Sequence, residues 1–80
     1  MTTPVVALSL GLQSLADDLE KRLVDMTGER QTFLLIVGMG KVVQYVSNTP
    51  RDCGTEMMMG LIDRWSRNVP DVPAHLDPDL

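Results

Sequence analysis

The sequence predicts an α+β domain built in the order helix, strand, strand, helix. In it an antiparallel hairpin has flanking helices and is completed by a second copy of the chain. Three observations predict it: a leucine stripe at helical spacing near the start, an apolar ribbon around a glycine-rich turn in the middle, and a proline-marked second amphipathic stretch after it. The 80 residues make one domain, and a chain of this size buries only about 60% of its extended-chain surface. Small domains offset that deficit with disulfides, metals or oligomerisation. Cys53 is the sole cysteine, so no intrachain disulfide forms, and no Cys/His cluster suggests a structural zinc. Oligomerisation is the route left, and a two-fold homodimer is its simplest closed form.

The first helix is expected over 4–27. Stepping 100° per residue places Val5, Leu8, Leu12, Leu15, Leu19, Leu23 and Met26 on one stripe with Ala16 beside it, and Asp17, Asp18, Lys21 and Asp25 opposite. Thr3-Pro4 is a start signal, because proline at the first helical position gives up no needed donor. Ser14 with Asp17 is a second, weaker start. Gly11 costs the early turns about 1 kcal/mol against alanine, and Gly28 supplies the left-handed residue that ends the helix. Arg22 falls where a strict heptad needs an apolar residue, so the stripe reads as a packing face and not a coiled-coil seam.

Two strands are expected over 31–39 and 42–48, joined through Gly38-Met39-Gly40-Lys41. Any two-residue loop pairs odd residues of the first strand with even residues of the second. One face then carries Phe33, Leu35, Val37, Met39, Val42, Gln44 and Val46. The other carries Leu34, Ile36, Val43, Tyr45 and Ser47. Both faces are apolar, whereas a half-solvated strand alternates, and a lone hairpin is not stable in water. The helices are expected to cover one face. The second copy covers the other by stacking on it, or pairs edge to edge into a four-stranded sheet that satisfies the open strand edges.

The second helix is expected over 50–67. Thr49 is placed as its cap, Pro50 at the first position, and Asp52 near the positive helix end, where it is expected to accept from the cap backbone. Met58, Leu61, Ile62 and Trp65 recur at i, i+3, i+4 and i+7, with Met57 flanking, and this stripe is expected to be buried. Met59 points about 120° from the stripe, where an exposed methionine suits an adaptable binding surface. The domain thus spans 1–67. Residues 68–80, with Pro70, Pro73 and Pro78 among Asp71, Asp77 and Asp79, read as an extended, acidic, proline-rich arm or tail.

Composition narrows the function classes. Hydrophobic residues make up 44% and charged residues 22%, which is an ordinary globular balance. The formal net charge is −4 and the pI about 4.6. The basic residues are scattered, without the stripe that neutralises phosphates, so nucleic acid is an unlikely partner and an anionic membrane would repel the chain. Clustered carboxylates could instead mimic nucleic acid. The N-terminal stretch lacks the basic start of a signal peptide, and no apolar run reaches the length of a membrane span, which points to a cytoplasmic protein.

No constellation carries catalysis, a cofactor or a metal. Cys53 sits in the first turn of the second helix, where the dipole favours a thiolate, and this is the alternative reading: a thiol-dependent enzyme or redox sensor. A catalytic thiol needs a base held close, and the sole histidine, His75, lies in the proline-rich arm. His75, Asp77 and Asp79 lack a rigid frame for a metal. Gly38-Met39-Gly40-Lys41 runs into Val-Val, a strand, and so departs from a phosphate loop. Asp17-Asp18 and Asp52 with Glu56 lie on faces expected to be wet. The leading expectation is therefore a small non-enzymatic protein-interaction module, homo-oligomeric, with Leu34, Ile36, Tyr45, Met59 and Trp65 as candidate interaction residues.

Gln44-Tyr-Val-Ser-Asn48, a helix ending in Arg64-Trp65, and Val69-Pro-Asp-Val-Pro-Ala-His75 resemble small uncharacterised proteins encoded by bacteriophages and prophages, over roughly residues 44–75. The resemblance implies a bacterial or phage cytosolic protein of unknown role; a host or phage protein as partner is expected instead from the small size, the acidic charge and the exposed Met59. It carries no catalytic residue and no known activity.

Overall fold

The computed structural model describes residues 3–79. The chain runs α1 (Pro4–Thr27), β1 (Leu34–Met39), β2 (Val42–Ser47), α2 (Arg51–Ser66) and a short 3-10 turn (Ala74–Leu76). This is the expected α+β order of two helices around an antiparallel hairpin.

Local signals set the bounds of α1. The Thr3 hydroxyl accepts from the Val6 N–H at 3.3 Å, Pro4 opens the first turn, and Gly28 closes the helix in the left-handed region at φ 83°. The hairpin register pairs Leu35 with Val46, Val37 with Gln44 and Met39 with Val42 on one face, and Leu34 with Ser47, Ile36 with Tyr45 and Gly38 with Val43 on the other. The parity expected from the sequence therefore holds. Gly40-Lys41 is the two-residue loop. Gly40 has φ +66° and Lys41 is not among the positive-φ residues, the pattern that a type II′ turn requires.

Packing is one-sided. α1 crosses the odd–even face and closes the core there around Leu12, Ala16 and Phe33. Gln44 fastens the helix start, its Nε2 donating to the Val5 carbonyl at 2.9 Å. The seam of α1 runs through Leu8, Leu12, Ala16, Leu19 and Leu23. Leu15, expected on that stripe, lies on its flank and is exposed, because the close approach centres on the small Ala16. Met26 is also exposed. Glu20 meets the open end of the hairpin at Asn48, so Met26 stands more than a turn beyond anything it could cover.

α2 departs from expectation. Its stripe of Met58, Leu61, Ile62 and Trp65, with Met57, is exposed, and Gly54 in its second turn is its one buried residue among those described. The helices do not share a sheet face: α1 alone covers one, and α2 rises on the other side. Geometry explains this. A helix of 24 residues is about 36 Å long and fills the face it crosses. Pro50, extended at ψ 156°, carries the chain to the opposite side.

The start of α2 is also one residue later than the sequence suggested. Pro50 occupies the cap position without a side-chain bond, Gly54 N–H donates to the Pro50 carbonyl at 3.0 Å, and Thr49 does not cap. The Thr49 carbonyl instead accepts from the Ser47 hydroxyl at 3.1 Å. Asp52 accepts from the Cys53 N–H at 3.0 Å, and not from the cap backbone. At the far end Asn68 takes φ 59°. Asn68 N–H donates to the Trp65 carbonyl and Val69 N–H to that of Arg64, a Schellman motif with asparagine as the left-handed residue. The arm beyond is mostly exposed but not wholly extended, since residues 74–76 make a single 3-10 turn.

Candidate interaction surface

Every strand residue has a side-chain direction fixed by parity, so covering one face leaves the other bare. Ile36, Val43 and Tyr45 are 50%, 62% and 58% exposed, against the buried Phe33 on the covered side. Leu34 is half-buried beside them. These four side chains floor an open groove of about 470 Å³, and the first two turns of α2 form its wall through Pro50, Arg51, Gly54, Thr55 and Met58. Arg51 is the one charged residue along this lining. Past Met58 the same stripe continues through Leu61, Ile62 and Trp65 with nothing against it, and Trp65 is 60% exposed.

Of the candidate interaction residues, Leu34, Ile36 and Tyr45 come together in the groove. Trp65 continues the wall beyond it. Met59 is exposed on another side of α2 and lies outside the groove lining. Cys53 is a free thiol exposed in the first turn of α2.

A polar junction that sequence reasoning missed ties α1 to the open end of the hairpin. Asn48 lies where the hairpin opens and where the chain turns into α2. Its Oδ1 accepts from the Phe33 N–H at 2.8 Å, and its Nδ2 donates to the Gln31 carbonyl at 2.8 Å and to Glu20 Oε1 at 3.1 Å. Arg30 closes the ring. Its Nε donates to Glu20 Oε1 at 2.7 Å and its Nη2 to the Asn48 carbonyl at 2.8 Å. The Arg30 hydrogen bond first, and that from Asn48 second, hold the Glu20 carboxyl below its ordinary value of 4.5. One asparagine thereby joins α1, the loop after it and the open end of the hairpin.

The whole molecule exposes more surface than its mass calls for. A compact monomer of 8.9 kDa would expose about 4,800 Å², whereas this one exposes 6711 Å². Its radius of gyration is 15.2 Å, against about 11.6 Å for a compact domain of this length. Exposure is spread along the chain: among the described residues only Leu12, Ala16, Phe33 and Gly54 are buried, and in the 68–79 arm all but Val69 and Asp77 are exposed.

Among the described residues no helix is long and apolar enough to cross a membrane. Comparison with protein-family models, curated proteins and solved structures finds no match to this chain.

Proposed function

We propose that this chain is a small protein-interaction module that acts as a homodimer, with the bare sheet face and the α2 stripe as its interface. The observation that carries the reading is the continuity of that apolar surface. Four side chains of the sheet and Met58 of α2 line one groove edged by Arg51, and the exposed stripe of α2 runs on from it through Leu61, Ile62 and Trp65. Monomers that stay monomers rarely expose a patch of this kind. The surplus of about 1,900 Å² over a compact monomer is more than twice the roughly 800 Å² per partner that a standard stable interface buries. A second copy is favoured as the occupant because each copy brings both a bare sheet and a bare helix, and a two-fold axis satisfies both at once. Origin in a phage or prophage rests on the resemblance over residues 44–75, and a further host or phage partner on the small size, the acidic charge and the exposed Met59.

Light scattering coupled to size exclusion tests the reading. The expected result is a mass twice 8.9 kDa for the native chain, and a folded monomer for Ile36→Asp, with unchanged helical circular dichroism because Ile36 faces away from the α1 core. A native chain that remains a folded monomer at the highest soluble concentration refutes the proposal.

A further inference from the structure

We infer that the two copies interlock by reciprocal insertion of α2, so that Leu61, Ile62 and Trp65 of each copy lie on Ile36, Val43 and Tyr45 of the other. The inference rests on the dimer reading above and adds its geometry.

Four modes of pairing are open to the chain, and they differ in what they cover. Stacking the two bare sheet faces on each other covers both faces and leaves both α2 stripes in water. Edge-to-edge pairing of hairpins satisfies backbone groups along a strand edge, but it leaves the bare sheet face and the α2 stripe both in water. Packing α2 against its copy covers the two stripes and leaves both sheet faces bare. Laying α2 of one copy on the sheet of the other covers a sheet face and a stripe in each contact, and symmetry performs it twice. Only this last mode removes both kinds of exposed apolar surface.

Dimensions agree with it. The 16 residues of α2 extend about 24 Å, and the six-residue strands extend about 20 Å, so one helix spans the floor of one groove. The floor carries no charge, and neither does the α2 stripe from Met58 to Trp65. Of the charges of α2, Asp52, Glu56, Asp63 and Arg64 lie off the stripe by the 100° rule, as does Arg67 just after the helix, and Arg51 alone falls in line with it. Arg51, on the groove wall, is the only charge that an incoming helix meets. Trp65, the sole tryptophan, is the aromatic best suited to stack on a guanidinium there.

The test uses full-length chain carrying Cys53→Ser, so that introduced thiols are the only ones. Val43→Cys and Ile62→Cys sit at exposed positions on the floor and on the stripe. The two single variants, differently tagged and co-expressed, are treated with a short bismaleimide and resolved on a denaturing gel, with circular dichroism confirming the fold. The expected result is a linked species containing both tags, in severalfold excess over like-with-like products. Linkage confined to like with like in a sample that scatters as a dimer overturns the interlocked mode and leaves the dimer reading standing. A second chain carries both substitutions. If its linkage is intramolecular and it scatters as a monomer, α2 closes on its own sheet, and the interlock and the dimer reading fall together.

Discussion

Replacing Asn48 with alanine tests whether the polar junction holds the fold together. The side chain makes two hydrogen bonds to backbone, accepting from Phe33 N–H and donating to the Gln31 carbonyl, each at 2.8 Å, in a half-buried setting. A net hydrogen bond of this type contributes about 1 kcal/mol, so the loss of both costs about 2 kcal/mol. For a domain of this size, that lowers the melting temperature by roughly 8–16 °C. The bond to Glu20 Oε1 adds to the loss without entering the figure, because the carboxylate is open to water. Urea unfolding followed by circular dichroism gives the number, with wild type and Asn48→Ala at one fixed protein concentration, since assembly makes apparent stability depend on concentration. The slope of the transition should be unchanged, because the surface exposed on unfolding is nearly the same. A difference below about 0.5 kcal/mol, the ordinary range for a surface substitution, would refute the view that Asn48 organises the junction.

Glu20 gives a pH signature. Its folded carboxyl titrates below 4.5, so its ionised form stabilises the fold above the unfolded value, and that contribution is lost as pH falls through the lowered folded value. Glu20→Gln should therefore be less stable than wild type at neutral pH and should converge with it in strong acid, as read from urea midpoints. A gap that persists or widens in acid would contradict the assignment. Gly28→Ala meets open space but must hold φ near +83°, so it should cost about 1 kcal/mol through backbone strain alone. An unchanged urea midpoint would show that α1 ends another way.

Features encoded within a few residues could be read directly from the sequence. Thr3-Pro4 and Gly28 bounded α1 because a cap and a left-handed residue act on the turn beside them. Face parity followed from the two-residue loop, whichever glycine formed it, since a strand alternates with period two. The strands proved shorter than expected at their open end for a physical reason. The Phe33 N–H and the Gln31 carbonyl bond to the Asn48 side chain and not to a β ladder.

What α2 faces was not legible. A stripe at helical spacing states that one side is apolar, but the same stripe suits a private core and a shared interface equally well. The difference lay in Pro50, which read as a helix-starting residue but takes an extended conformation that turns the chain away from the face α1 covers. For the candidate surface, the sequence supplied Leu34, Ile36 and Tyr45 through parity. It gave no sign that Gly54 and Met58 would stand opposite them, because that depends on the angle at which a helix leaves a sheet. Asn48 read only as the last residue of the second strand, since its partners, Glu20, Gln31 and Phe33, are 28, 17 and 15 positions away.

A helix rooted at one end behaves unlike one clamped along its length. With no partner seated, the outer turns of α2, from Met59 to Ser66, fray independently of the α1 core, so in the free chain their amides should take up deuterium long before those of α1 around Leu12 and Ala16. Anything that seats on the free end closes that route. The lag between the two helices is therefore a built-in gauge of occupancy, readable at single-residue resolution without knowing beforehand what the visitor is.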